Sequence, residues 1–150
     1  VQVFGIFRLY RVKENVLDGD NTLPQSGTNR DFCYSSGYEY WGKMESDGNV
    51  LSSGKKETVL RSNKKKIEKD ATYDIVVHYE VIQAKEDSAA TFRVRNAQDE
   101  IIAEQEMPKD ATKITIKDVS VITGMEWVRY RINAEKGSKI RIRSIETIAQ

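Results

Sequence analysis

Alternation with a period of two runs through the second half of the chain and restricts what it can fold into. Tyr73, Ile75, Val77, Tyr79 and Val81 fall on one side of a run whose other side carries Asp74, Val76, His78 and Glu80. Successive side chains of a strand point to opposite faces, so the pattern predicts a strand with one buried side. Phe92 and Val94 alternate with Arg93 and Arg95 in Thr91–Arg95. The pattern returns in Lys113–Lys117, Trp127–Asn133 and Lys139–Arg143, with Val128, Tyr130, Ile132, Ile140 and Ile142 on the apolar side. Clusters of turn-forming residues at Asn96–Asp99, Pro108–Asp110, Thr123–Gly124 and Glu135–Ser138 separate these runs. Strands so closely spaced predict an all-β sandwich or barrel rather than a parallel sheet with crossover helices. Ala97–Met107 is rich in helix formers. Its place between two strands and two turns predicts a hairpin return strand through Ile101–Met107 instead.

The first half is looser. Val1–Val12 is β-rich and apolar on both sides, as a strand covered on two faces would be. Leu17 to Ser53 carries Gly19, Gly27, Gly37, Gly42 and Gly48 among many Asp, Asn and Ser residues, and reads as long loops around short strands. Thr58–Ser62 reads as a short strand, and the Lys64–Lys66 run before Glu68, Lys69 and Asp70 as a solvated turn of balanced charge. No repeat or linker divides the chain, so residues 1–150 are expected to form one domain. A start at Val1 rather than Met is expected of a processed product or a piece of a larger polypeptide.

Composition excludes several functions. A domain of 150 residues with 39% hydrophobic residues can bury roughly 70% of its unfolded surface without staples. The single cysteine, Cys33, excludes an intrachain disulfide and a cysteine-rich zinc site. The balance of 24 basic and 23 acidic side chains creates no global field, so nucleic acid is not an expected partner. No apolar run is long enough for a membrane-spanning helix.

Catalysis finds little support. His78 is the only histidine, and no Gly-x-Ser-x-Gly elbow accompanies it. Nothing in the sequence brings Cys33 to His78, so Cys33 reads as a small buried filler and His78 as a surface residue. No His-Glu-x-x-His motif occurs. Asp18–Asn21 looks like a fragment of a calcium loop but lacks the ligand spacing and the closing glutamate, and reads as a tight turn. A non-enzyme is expected.

Binding chemistry fares better. Phe32, Tyr34, Tyr38, Tyr40 and Trp41 crowd into ten residues. Tyrosine and tryptophan join an apolar ring face to a polar edge, which suits stacking on a sugar; alternate rings filling the core is the competing reading. If the strands at 73–81, 91–95 and 127–133 share a sheet, His78, Arg93, Arg95, Trp127, Arg129 and Arg131 assemble on its outer face. Arginine offers a planar fork of donors that matches carboxylate, sulfate or phosphate oxygens, so such a face suits an anionic glycan. With Asp74 and Glu80 on the same side, a solvated face of exposed charge pairs is the competing reading.

The order of these pieces resembles a known group. Val59-Leu-Arg-Ser-Asn-Lys64, then Ile67–Glu80, then a hairpin, then Glu126–Ile142 looks like a galactose-binding-like, carbohydrate-binding-module-like jelly roll over residues 57–148. The resemblance implies a two-sheet antiparallel jelly-roll β-sandwich, often with a structural calcium, that binds glycans on a concave sheet or at loop tips. It also implies that the tyrosine-led and tryptophan-led strands are sheet neighbours. High charge and only two tryptophans depart from a cellulose-type platform and favour a charged or complex bacterial or cell-surface glycan. On this reading Tyr38, Tyr40 and Trp41 stack, and Trp127, Arg129, Arg131, Arg93, Arg95 and His78 make oriented or ionic contacts. The partners implied are a polysaccharide and flanking domains, at a cell surface or outside the cell, with a cytoplasmic location also compatible. The alternative is a structural or protein-interaction sandwich of a surface, virion or glycan-assembly protein.

Overall fold

The alternating segments become strands longer than the alternation alone marks, because pairing with neighbours in each sheet carries the ladders on towards the next turn. A computed structural model describes residues 22–23, 26–30, 38–40, 50–52 and 57–150. The readings of Val1–Val12, Asp18–Asn21, Cys33 and Trp41 lie outside the described residues. The strands are β1 (Thr22–Leu23), β2 (Gly27–Asn29), β3 (Tyr38–Tyr40), β4 (Val50–Ser52), β5 (Glu57–Ser62) and β6 (Lys65–Ile67). The longer ones follow: β7 (Ala71–Gln83), β8 (Ser88–Asn96), β9 (Ile101–Pro108), β10 (Lys113–Val121), β11 (Trp127–Ala134) and β12 (Lys139–Ala149). Ile101–Pro108 is thus the return strand that its flanking turns predict, against its helix propensity.

Two sheets face each other in a jelly-roll β-sandwich. In the first, β9, β8 and β11 run side by side, β5 and β6 share the far edge of β11, and β3 and β1 lie outside them. In the second, β10, β7 and β12 run side by side, and β2 and β4 share the far edge of β12. Every pairing is antiparallel except that of β1 with β6. Between the sheets lie Tyr73, Ile75, Val77 and Tyr79 of β7 and Phe92, Val94, Val128, Tyr130 and Ile132 of β8 and β11, all buried. Tyr130 donates its hydroxyl hydrogen to the Tyr73 hydroxyl at 3.1 Å, a bond that crosses from one sheet to the other. Among the described residues no helix is long and apolar enough to cross a membrane.

Two expectations are corrected. The tyrosine-led β7 and tryptophan-led β11 are not neighbours: β7 lies between β10 and β12, whereas β11 lies between β8 and the β5–β6 pair. Their apolar faces meet across the interior, and alternation reveals which side of a strand is buried but not which sheet holds it. The Lys64–Lys66 run is not a solvated turn either. Lys65–Ile67 is β6, which takes up the edge of β11 where β5 leaves it, and Lys65 is buried with its Nζ 5.3 Å from the Tyr130 ring centre.

The break between β5 and β6 has a local remedy. Arg61 pairs with Arg131 and Lys65 with Val128, so the ladder lapses opposite Arg129 and Tyr130. There the Tyr130 N–H donates to the Ser62 side-chain oxygen at 2.9 Å, and the Ser62 hydroxyl donates to the Asn63 carbonyl at 2.8 Å. A serine hydroxyl thus stands in for the missing backbone acceptor of a buried donor.

Candidate functional site

The outer face of the first sheet collects arginines in register. Antiparallel pairing sets Arg131 of β11 directly opposite Arg93 of β8 on one side and Arg61 of β5 on the other. The neighbouring row sets Arg129 opposite Arg95. Adjacent strands lie about 4.8 Å apart and alternate residues about 7 Å apart, so five guanidinium groups start from one small grid. Like charges directly opposite one another are destabilising, by amounts on the order of the 0.2–1 kcal/mol typical of cross-strand pairs. The fold carries this cost at the centre of a sheet.

Acidic groups meet the grid at its margins. Arg93 Nε donates to Glu104 Oε2 of the edge strand β9 at 2.9 Å. Asn96 Oδ1 accepts the backbone N–H groups of Gln98 and Glu100 and shapes the β8–β9 turn. That turn brings the Asp99 carbonyl to Arg95 Nη1 at 2.8 Å, with the Asp99 carboxylate at 3.5 Å. At the opposite margin Glu39 of β3 takes the register position beside Arg61. The side chain of Arg131, between two other arginines, has no hydrogen bond or ion pair with another described residue, and its Nε is shut off from solvent.

The rows on either side add other chemistry. Trp127, half-buried at the start of β11, has Lys64 Nζ 4.9 Å and Arg129 Cζ 5.5 Å from its ring centre, and Lys66 is its strand partner. Cations at such distances are held by the ring quadrupole, at about 0.5–1 kcal/mol each when exposed. Beyond the arginines, Asn133 Nδ2 donates to Thr58 Oγ1 at 3.0 Å, and Thr91 faces Asn133 from β8. Charge, an indole ring, hydroxyls and an amide therefore share one face.

The structure brings together Arg93, Arg95, Trp127, Arg129 and Arg131 from the sequence-based set, and it removes His78. His78 belongs to β7, in the other sheet, where it pairs with Lys113 and Ser144. It lines an open cleft of about 690 Å³ with Arg30, Arg143, Thr28, Thr112 and Glu146. The grouping of His78 with the arginines therefore fails for the same reason as the predicted β7–β11 neighbourhood. Tyr38 and Tyr40 take the register positions opposite Ser62 and Leu60, while Glu39 between them is the one opposite Arg61. Trp41 lies outside the described residues.

Arg61, Lys64 and Glu104 join the face without having been expected there. Arg61 does follow Leu60 in an alternating run, but nothing in that run reveals that β5 flanks β11. Among the described residues no group of three or more His, Cys, Asp or Glu side chains gathers to hold a metal ion, and Asp18–Asn21 lies outside them.

No protein-family model matches the sequence, and no curated protein matches it. Solved structures do resemble the chain. The C-terminal family-6 carbohydrate-binding module of LamC, a marine laminarinase from Zobellia galactanivorans, is 12% identical with a TM-score of 0.49, covering 87% of this chain and 94% of its own. A family-6 module of lichenase 5A from Cellvibrio mixtus, solved with cellotriose, is 12% identical with a TM-score of 0.46, over 88% of this chain and 94% of its own. A low-affinity xylan-binding module from Roseburia intestinalis is 14% identical with a TM-score of 0.43, over 88% and 92%. All three are carbohydrate-binding modules, the broad group that the sequence resembles.

Proposed function

We propose that the chain is a non-catalytic carbohydrate-binding module whose first sheet receives an acidic polysaccharide on its outer face. The supporting observation is the register that sets Arg131 between Arg93 and Arg61 and Arg129 beside Arg95. Such a grid is costly alone and is relieved by carboxylates or sulfates laid across the strands, each met by a fork of donors. Trp127 offers a ring beside those charges, and Thr91, Asn133 and Thr58 offer groups that exchange hydrogen bonds with sugar hydroxyls. Binding on a preformed sheet loses little ordering entropy. Tyr38, Tyr40 and Trp41 are proposed as a secondary set of stacking rings. The reading places the module at a cell surface or outside the cell, beside flanking domains.

Affinity electrophoresis against polygalacturonate, chondroitin sulfate, a neutral xylan and duplex DNA tests this reading. Retardation is expected in the two acidic glycans alone, weakening at least about tenfold as salt rises from about 0.05 to about 0.5 M. Trp41→Ala is expected to weaken it further. Retardation by DNA alone, or by no polymer with a self-associating chain in its place, overturns the assignment in favour of nucleic-acid binding or a structural role.

A further inference from the structure

The second sheet carries a cleft that the arginine face does not use. Its volume of about 690 Å³ falls in the range of small-molecule sites. The floor is an irregularity in β12: the register with β7 shifts between Ile142 and Ser144, so that two residues, Arg143 and Ser144, stand against His78. A bulge of this kind re-aims a side chain, and bulges gather beside functional sites. Here it presents Arg143, 55% exposed, beside His78 at the cleft. Arg30, just past the end of β2, enters the cleft beyond β12, and Lys113 of β10 is the strand partner of His78 on the other side.

The cleft's charged groups are of both signs. Glu80 accepts from Arg141 Nη1 at 2.6 Å and from Arg143 Nη2 at 3.3 Å. A guanidinium has five N–H donors, so Arg143 keeps donors beyond its bond to Glu80. Glu146 is the remaining carboxylate of the lining, set against Arg30 and Arg143. Thr28 and Thr112 add exposed hydroxyls. The tyrosine of the lining is Tyr79, whose ring belongs to the core and whose hydroxyl donates to the Pro108 carbonyl at 2.8 Å. The described lining is therefore polar, with two arginines balanced by two glutamates and no tyrosine ring offered for stacking.

We infer that this cleft is a second binding site, separate from the arginine face, for a small hydroxylated carboxylate of the size and chemistry of one uronic acid residue. Arg143 and Arg30 take the carboxylate, and Thr28, Thr112, Glu146 and His78 take the hydroxyls. A site for one residue on the opposite sheet lets the module engage a chain end or a free sugar acid independently of a polymer on the first sheet.

His78 is the only histidine, so its ring Cε1 proton gives one unambiguous NMR signal. Galacturonate titrated into the 150-residue chain is expected to shift that signal saturably, galactose not at all, and acetate only weakly. Arg143→Gln, which keeps a hydrogen-bonding side chain without charge, is expected to raise the galacturonate Kd by about tenfold or more. Retardation of Arg143→Gln by polygalacturonate is expected to match that of the parent chain, which separates this site from the polysaccharide reading. Failure of galacturonate to move the signal, an equal response to galactose or acetate, or undiminished galacturonate binding in a folded Arg143→Gln chain overturns the inference.

Discussion

Arg131 stands where like charge costs stability, and the proposed binding role draws on that same charge. It stands between Arg93 and Arg61 with no acidic partner among the described residues, while Arg93 and Arg95 are held by groups at the β9 margin. Replacing it removes two like-charge neighbours at once. Arg131→Thr, which keeps a good strand residue at that position, is therefore expected to raise stability by roughly 0.5–1 kcal/mol in low salt. The gain should shrink as salt screens the pairs. Retardation by polygalacturonate should fall in the same variant. Urea unfolding at two salt concentrations, read beside affinity electrophoresis, checks both; a destabilised variant that still binds would show that Arg131 is structural. The residue pattern made Arg129 and Arg131 outward-facing at first sight, because Val128, Tyr130 and Ile132 alternate with them. Arg61 is equally legible as outward, but its meaning depends on a neighbour about 70 positions away.

Element by element, alternation reports a strand's buried side well and its partners poorly. The β7 run shows Tyr73 to Tyr79 inward, and the turn clusters bound β8, β9 and β11 nearly where the ladders end. Sheet membership is a long-range property. The pairing of β7 with β12 and of β11 with β5 joins segments some 60 to 75 residues apart, and no local pattern encodes it. His78 therefore alternates like a partner of the arginines while its strand lies in the other sheet. The lysine run misled for a different reason: its charge suggested solvent, yet Lys65 and Ile67 are the inward positions of a strand resumed after a two-residue break. Ser62 makes that break tolerable by accepting the buried Tyr130 N–H. Ser62→Ala leaves that donor without its acceptor, at a cost of about 1–3 kcal/mol. Ser62→Thr keeps a hydroxyl and is expected to lose less. Chemical denaturation of the two variants decides the point, and equal stability of Ser62→Ala and the parent chain would mean that the β5–β6 break closes without the hydroxyl.

At the scale of the whole molecule, two sheets that touch mainly through apolar side chains are also joined by the Tyr130–Tyr73 hydroxyl pair. Burial pushes the Tyr73 hydroxyl up to about 12, with the bond to Tyr130 pulling it slightly the other way. Burial alone pushes Tyr79 up to about 12. A phenol ionises near pH 10 in an unfolded chain. Below that pH both states hold the proton, and these residues make no pH-dependent contribution. Between about pH 10 and 12 the unfolded chain releases protons that the folded chain keeps, so stability falls as pH rises. Tyr73 alone accounts for about 3 kcal/mol across that window. Tyr73→Phe loses the intersheet bond and should cost about 1 kcal/mol at neutral pH, yet it also removes one of the protons that drives alkaline unfolding. The stability curves of the parent and of Tyr73→Phe should therefore cross near pH 11 in urea titrations run from about pH 7 to about pH 11.5. Curves that stay parallel would show that the Tyr73 hydroxyl ionises as readily inside the sandwich as outside it, and that the interface between the sheets admits water where the packing around Tyr73 and Tyr130 excludes it.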